Sequence, residues 1–313
     1  MVELTEAEAA VYDRQLRVWG VETQKRLNAA KVLIIGCSGL AAEAAKNIVL
    51  AGLGSLTIMA SSTCAEVGSN NFLIPADVES SQSAAVACAA TLQEMNPLVK
   101  VVGLQQPQAA LPPEATLAAF NIVVLVDASL GEIQRADEAC RRCSTAFYAA
   151  SAQGTCSFMF ADLCNHFWTP QGNDKSQALT QHSSTFVSFQ HAMQHPWRKL
   201  HPRKSHKLFP ILRVCLELEH KLKRRLGPSD TAAAMQLAGE LATQEGAGAD
   251  LFSDALLEEF LCGSQGLAAV NAVLGGVLAN EILKAVSHRG EPLNNFMYFC
   301  LLDGAGVVEH IGG

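Results

Sequence analysis

The sequence predicts a doubly wound α/β fold built on a mostly parallel sheet. Two short continuous apolar runs, Val32-Leu33-Ile34-Ile35 and Ile122-Val123-Val124-Leu125-Val126, have the length and β-branched content of strands buried on both faces. Segments of helical composition alternate with such runs through the first half of the chain. The first run opens directly onto Gly36-Cys37-Ser38-Gly39, a glycine turn that leads into a helix. Strand–helix alternation of this kind closes into a parallel sheet with right-handed crossovers.

Taken in order, residues 12–20 form an amphipathic opening helix rich in charge and aromatic anchors. Residues 32–35 are the first strand. Residues 40–51 carry Ala, Ile and Leu on one helical face and stop at Gly52-Leu53-Gly54. Ser55-Leu56-Thr57-Ile58-Met59 is the second strand. A helix over 83–95 ends at Asn96-Pro97, because proline disfavours helical geometry in the residue before it. Residues 99–104 and 122–127 are the third and fourth strands, 133–143 a helix, and Ala146-Phe147-Tyr148-Ala149 a fifth strand.

From about Cys164 the pattern changes. Residues 165–210 are rich in His, Gln, Ser, Pro and basic side chains with little periodicity, and 169–184 reads as a flexible loop. Helices follow over 208–226, closed by Gly227-Pro228, then over 231–243 and 253–262, with a hinge-like break at Gly246-Ala247-Gly248. Residues 266–286 return to strong apolar periodicity. Residues 294–302 read as a strand, and Asp303-Gly304-Ala305-Gly306 turns into a final strand at Val307-Val308-Glu309. The expected organisation is a Rossmann-like domain begun by residues 1–164, an inserted loop and helical region at 165–262, and a C-terminal part, 263–313, that completes the sheet.

Composition narrows the function classes. With 313 residues, 49% of them hydrophobic, the chain can bury one large core or two ordinary ones. A net charge of −7 argues against a general nucleic-acid binder. No run approaches the roughly 18 apolar residues of a membrane span, and the acidic N-terminus lacks the basic-then-apolar order of a secretory signal. Ten scattered cysteines, many in alanine-rich runs, fit a reducing compartment. Cys140-Arg141-Arg142-Cys143 is the one C-x-x-C; without a second pair it reads as two thiols on a helix rather than a zinc site. No cysteine has the electropositive setting of a catalytic thiol. His191, His195, His201 and His206 lack metal-ligand spacing, and no metal is expected.

The glycine turn is incomplete. A strand–glycine–helix unit cradles phosphate because backbone N–H groups and the helix N-terminus face the ligand. The dinucleotide fingerprint uses three glycines, and an acid at the end of the second strand holds a ribose hydroxyl. Here Gly36 and Gly39 remain, Ser38 and Ala41 stand at glycine positions, and the second strand ends in Ala60 with no carboxylate until Glu66. A scaffold kept for its shape is the plainer reading of this turn.

Six blocks carry a resemblance. Tyr12-Asp13-Arg14-Gln15-Leu16-Arg17-Val18-Trp19-Gly20 precedes the first strand by about one short helix. Ala45-Lys46-Asn47-Ile48-Val49-Leu50-Ala51-Gly52, Asn70-Asn71-Phe72-Leu73-Ile74 and Leu92-Gln93-Glu94-Met95-Asn96-Pro97 follow in order. Val273-Leu274-Gly275-Gly276-Val277-Leu278-Ala279-Asn280-Glu281-Ile282-Leu283-Lys284 and then Asn294-Asn295-Phe296 close the series. These blocks, over roughly 9–160 and 262–312, resemble the adenylation halves of the ubiquitin-like-modifier activating enzymes, the ThiF/MoeB family. Chain length and the C-terminal run are most similar to the small, non-thioester subunits of the SUMO-activating type.

The resemblance implies a pseudo-adenylation domain within a heterodimer. In it, a large thioester-forming partner holds ATP, Mg2+, the catalytic cysteine and the SUMO tail. It implies that Arg14, the arginine of Y-D-R-Q, is lent in trans to the partner's ATP site, with Tyr12, Gln15, Arg17 and Trp19 supporting it or forming the interface. Without the motif, Arg14 would read as a surface ion pair with Asp13 or Glu6. The active members' charged ATP contacts are absent: Ala60 stands for the acid after strand two, Asn71 for an arginine, and residues 80–90 contain no lysine. Asp127 alone persists, and one acid does not rebuild a Mg-ATP site. The resemblance therefore implies that this chain binds no cofactor itself and is inactive alone.

Lys221-Leu222-Lys223-Arg224-Arg225 reads either as a nuclear-import signal, giving nuclear localisation with some cytoplasmic protein, or as a solvated helix face. Alternative functions are the matching subunit of the cullin-modifier activating enzyme, a homodimeric MoeB/ThiF-like adenylyltransferase, and a Rossmann oxidoreductase. The missing ATP contacts weigh against the homodimer, and the missing ribose acid against the oxidoreductase. Neither nucleic acid nor membrane is expected as a partner.

Overall fold

The computed structural model describes residues 5–106, 111–170, 180–201, 204–248, 251–263, 265–302 and 304–313. Three short helices open it: α1 (Glu6–Val11), α2 (Asp13–Trp19) and α3 (Val21–Ala29). Thr5 and Glu8 cap α1 reciprocally, each side chain taking the other's backbone N–H. Gly20, at φ +83°, lets the chain turn between α2 and α3.

The alternation then runs β1 (Lys31–Ile35), α4 (Gly39–Leu50), β2 (Ser55–Ala60), α5 (Cys64–Val67), α6 (Ala84–Met95), β3 (Lys100–Gln105), α7 (Glu114–Leu117), β4 (Ile122–Val126) and α8 (Leu130–Arg142). After β5 (Ala146–Gln153) come β6 (Cys156–Asp162), β7 (Asn165–Trp168), β8 (His182–Thr185) and α9 (Phe189–Met193). Helices α10 (Leu208–Leu222), α11 (Thr231–Glu245), α12 (Asp254–Cys262) and α13 (Ala268–Ser287) lead to β9 (Phe296–Cys300) and β10 (Ala305–Glu309).

The main sheet has the order β10-β9-β6-β5-β4-β1-β2-β3. Strands β3, β2, β1, β4 and β5 pair in parallel, and β6, β9 and β10 add antiparallel pairs. The chain leaves β1 toward β2 on one side and reaches β4 on the other. The crevice outside the carboxyl ends of β1 and β4 is thus the switch point where α/β sheets bind ligands. Alternate residues of β1 feed opposite cores: Val32 and Ile34 pack with α4, α6 and α13, while Leu33 packs with α8 and α10. Helix α13 is the one described helix long and apolar enough to cross a membrane; its Leu274, Leu278 and Ile282 are fully buried in the core beside α4.

Several elements differ from the sequence-based expectation. The whole of β6, buried along its length, lies outside that expectation; it follows β5 through a two-residue turn at Gly154, φ +55°. The C-terminal end of the expected 169–184 loop, residues 182–184, belongs to β8, which pairs with β7 in a two-stranded ribbon, Asn165 with Thr185 and Trp168 with His182; residues 171–179 lie outside the described residues. Strand β9 is shorter than 294–302, β10 already begins at Ala305, and Asp303 is not among the described residues. Cys140 is buried on α8, and Cys143 caps that helix, its thiol donating to the Ala139 carbonyl at 3.2 Å. Among the described residues no group of His, Cys, Asp or Glu is arranged to hold a metal.

Candidate functional site

The glycine turn follows β1 at the switch point. Gly36 sits at φ +115°, and a Cβ there would lie 2.6 Å from the Val126 carbonyl oxygen, so only glycine fits. Ser38 caps α4, its hydroxyl accepting from Ala41 N at 3.5 Å. The same hydroxyl hydrogen-bonds the Asp127 carboxylate. Gly39 is packed against Asn70 and Asn271, with no space for a ligand beside it.

Asp127, at φ 52°, is held from every side. Its Oδ1 accepts from Ser151 Oγ at 3.0 Å and Ala152 N at 2.9 Å, and its carbonyl accepts from Arg225 Nη1 at 2.7 Å. Burial pushes the Asp127 carboxyl up, while these hydrogen bonds and the Arg225 charge pull it back. In this chain Asp127 is a latch between β4, β5 and the segment that follows α10. Three donors engage its carboxylate, and the Arg225 guanidinium stands beside it. These residues do not suit a Mg-ATP complex: the Ser38 hydroxyl is turned onto its own helix and the acid, and the Asp127 carboxylate is engaged by Ser38, Ser151 and Ala152 N.

Two other positions of the expected pocket point elsewhere. Ala41 and Asn71 face the closed core. Asn71, 2% exposed, donates to the Cys37 carbonyl at 3.0 Å and the Cys88 thiol at 3.2 Å, and accepts from Leu73 N at 2.9 Å. Its amide is a core brace and cannot stand in for an outward-facing arginine. Ala60 and Gly36 do line an open cavity of about 230 Å3, with Met59, Leu125, Glu132 and Arg135.

The opening segment has a different geometry. Tyr12 is 2% exposed, and its hydroxyl accepts from Asn96 Nδ2 at 3.0 Å. Gln15 donates to the Leu50 carbonyl at 3.1 Å, and Trp19 donates to Gln24 at 3.1 Å. Arg17 pairs with Asp13 at 2.8 Å, one turn away. Arg14 is exposed, and it has neither ion pair nor hydrogen bond among the described residues. The ion pair with Asp13 or Glu6 that the bare sequence allows is not formed, because Arg17 has taken Asp13.

The anchors also fix where Arg14 is. Leu50 is the last residue of α4 and Gly39 the first, so at 1.5 Å per residue the Gln15 tether is roughly 16 Å along the helix from the glycine turn. Tyr12, Gln15 and Trp19 thus mount Arg14 on the face of the fold away from its own crevice, beside the exposed apolar side chains of Val11, Val18 and Leu50.

Sequence reasoning missed two polar residues of the crevice. Glu132 is signalled by the capping box Ser129-x-x-Glu132. Arg225 reads in sequence only as part of a basic run; its contact with Asp127 spans 98 residues and leaves no local mark. Its neighbour Arg224 makes a two-point ion pair with Asp230, at 2.8 and 2.7 Å.

Comparison with known proteins agrees with this architecture. The profile of the ThiF family matches residues 12–307. The chain is 36% identical to "SUMO-activating enzyme subunit 1A" of Arabidopsis thaliana, over 99% of this chain and 97% of that protein. It is 32% identical to "SUMO-activating enzyme subunit 1" of Homo sapiens and 31% identical to the protein of that name from Danio rerio, over 99% and 98% of this chain and 96% of each relative. A doubly wound sheet, a glycine turn at its switch point and a family match over nearly the whole length lead to one conclusion: the chain belongs to the ThiF family.

Proposed function

We propose that this chain is the small, non-thioester subunit of a heterodimeric SUMO-activating enzyme. In this reading it supports ATP-dependent adenylation of the SUMO C-terminus by a large partner subunit. Relatives carrying that name at 31–36% identity over nearly full length support the reading. One structural observation carries it: Arg14 is an exposed guanidinium, unpaired among the described residues, on a helix tethered roughly 16 Å along α4 from the glycine turn.

Adenylation joins a C-terminal carboxylate to the α-phosphorus of ATP and expels pyrophosphate, so negative charge grows on phosphate oxygens. A planar, permanently charged guanidinium suits that charge because it offers parallel donors and cannot lose its proton. The proposal places Arg14 in the partner's ATP site, with ATP and Mg2+ held by the partner. The exposed Val11, Val18 and Leu50 around it become part of the subunit contact, with Tyr12, Gln15 and Trp19 fixing the direction of the helix. Nuclear localisation is proposed too; within 221–225, Lys221 and Lys223 are the exposed cations without a partner among the described residues, since Arg224 and Arg225 are held by Asp230 and Asp127.

The test is ATP–pyrophosphate exchange. The chain alone is expected to show none, and exchange is expected once the large subunit and SUMO are added. Exchange by the isolated chain would sink the proposal.

A further inference from the structure

Helix α2, which carries Arg14, has seven residues, and none of them is buried. A helix that short has no stability of its own, so tertiary contacts set its direction. Tyr12, just before it, is held by Asn96, and Gln15 in its first turn is held by the Leu50 carbonyl. These two contacts fix the start of α2. Its far end swings about them unless Trp19 is held as well.

Trp19 is held by Gln24 on α3. Trp19 Nε1 donates to Gln24 Oε1 at 3.1 Å, and Gln24 Nε2 donates to the Ala51 carbonyl at 3.1 Å and to Asn28 Oδ1 at 3.0 Å. Gln24 is 0% exposed, so its amide makes these bonds away from bulk water, where each counts for more. Ala51 caps α4, the helix whose last residue, Leu50, receives Gln15. One amide thus joins the far end of α2 to the helix end that anchors its start. The position suits an amide because it must accept from an indole and donate to a carbonyl; a carboxylate lacks the donor and an aliphatic chain lacks both. Gly52, at φ +85°, belongs to the same fit: a Cβ there would lie 2.5 Å from Tyr12 Cζ and 2.6 Å from Gln24 Nε2. A further tie, from Arg289 Nη1 to the Trp19 carbonyl at 2.9 Å, holds the backbone at that end.

We infer that Gln24 is a positioning residue for Arg14: through Trp19 it sets the direction in which α2 presents the guanidinium to a nucleotide in the partner subunit. The inference rests on the trans role proposed for Arg14. Arg14 lies five residues before Trp19, about 7.5 Å along α2 at 1.5 Å per residue. A misplacement of about 1 Å at a reacting group can cost about 10²-fold in rate. Tyr12, Gln15 and Arg289 still restrain α2 when the Gln24 bonds are removed, so the expected loss is smaller, about tenfold.

The test is a mutant cycle in ATP–pyrophosphate exchange by the reconstituted heterodimer, comparing wild type, Gln24→Met, Arg14→Ala and the double variant. Methionine keeps the length of glutamine and removes its amide. Gln24→Met is expected to lower kcat about tenfold with the KM for ATP unchanged, because the partner holds the ATP. On the Arg14→Ala background the same change should alter kcat by less than about twofold, since no guanidinium is left to position. A tenfold loss on both backgrounds would make Gln24 a merely structural residue and overturn the inference. Wild-type exchange by Gln24→Met would overturn it too. Trp19→Phe, which deletes only the indole N–H, serves where Gln24→Met does not fold. Its expected loss is about fivefold and confined to the Arg14 background; no loss, or an equal loss on both backgrounds, overturns the inference. Wild-type exchange by Arg14→Ala would defeat the trans role and the positioning role together. Slow exchange by Arg14→Ala beside unimpaired Gln24→Met would defeat the positioning role alone.

Discussion

Replacing Asp137 with asparagine is expected to make the protein more stable at pH 8 and little different at pH 5. Asp137 on α8 and Asp162 on β6 are both buried, at 0% and 1% exposure. Asp137 Oδ2 accepts from Phe189 N at 2.7 Å; Asp162 accepts from Cys164 N at 2.8 Å and from Arg141 Nη1 at 3.2 Å. Asp137 Oδ1 finds no donor among the described residues, yet the two carboxyls are in hydrogen-bond contact. A carboxyl pair in that arrangement keeps one proton, placed on the orphan oxygen and donated to Asp162. Burial first, and the neighbouring Asp162 charge second, push the Asp137 carboxyl up to about 8. In the unfolded chain the group titrates near 3.9.

The sign follows from linkage. Below about pH 4 both states hold the proton and its contribution to stability is complete. Between about pH 4 and 8 the unfolded chain releases the proton and the native state keeps it. Stability therefore falls by up to about 1.4 kcal/mol per pH unit across that window. The full window corresponds to about 5 kcal/mol; local relaxation and sharing of the proton with Asp162 reduce this to about 2–4 kcal/mol. Asparagine reproduces the protonated acid, with an N–H for Asp162 and an oxygen for Phe189 N, and does not titrate. Urea unfolding of both proteins at pH 5, 6.5 and 8 isolates this residue from Glu219 and Glu309, whose carboxyls burial also pushes up. The midpoint gap should open steadily with pH in favour of Asp137→Asn. Parallel profiles would refute the shared proton.

Three further outcomes follow from geometry. Gly36→Ala should cost about 2–4 kcal/mol in denaturant unfolding, because its Cβ meets the Val126 carbonyl oxygen at 2.6 Å and φ +115° is strained for alanine; a loss under 1 kcal/mol would contradict that crowding. Asn96→Ala should cost about 2 kcal/mol, since Nδ2 holds both the Tyr12 hydroxyl and the Val49 carbonyl inside the fold; a neutral result would mean the opening helices are not anchored there. Arg17→Ala should leave stability within about 0.5 kcal/mol, because its pair with Asp13 is 76% and 54% exposed. A larger loss in thermal melts would show that α2 depends on that pair.

The parts legible in the sequence are those governed by local pattern. The apolar runs of β1 and β4 can only be strands buried on both faces, and Gly36 announces a turn that a Cβ would block. Helix α6 ends where Asn96-Pro97 says it should. What is illegible depends on distant partners. The ribbon pairs Asn-His-Phe-Trp of β7 with His-Ser-Ser-Thr of β8, four residues each and too short and polar to announce strands without their pairing. The β6 segment continues an apolar stretch with Gly154 as its only punctuation. Asn71 looks in sequence like a lost ATP contact, whereas Cys37 and Cys88, 34 and 17 residues away, draw its amide into the core. Arg225 reaches the Asp127 carbonyl from the segment after α10, which sequence alone does not place there. Arg14 stands out by its motif; its isolation from the glycine turn emerges only from the Gln15–Leu50 tether.

The role proposed for Arg14 meets its most direct test in ATP–pyrophosphate exchange by the reconstituted heterodimer carrying Arg14→Ala. Subunit assembly is followed by size-exclusion chromatography of the same samples. Exchange should fall about 10²–10³-fold, the loss typical when one preorganised donor to developing charge is removed, while the heterodimer elutes unchanged. Wild-type exchange rates in an intact Arg14→Ala heterodimer would contradict a trans-acting arginine.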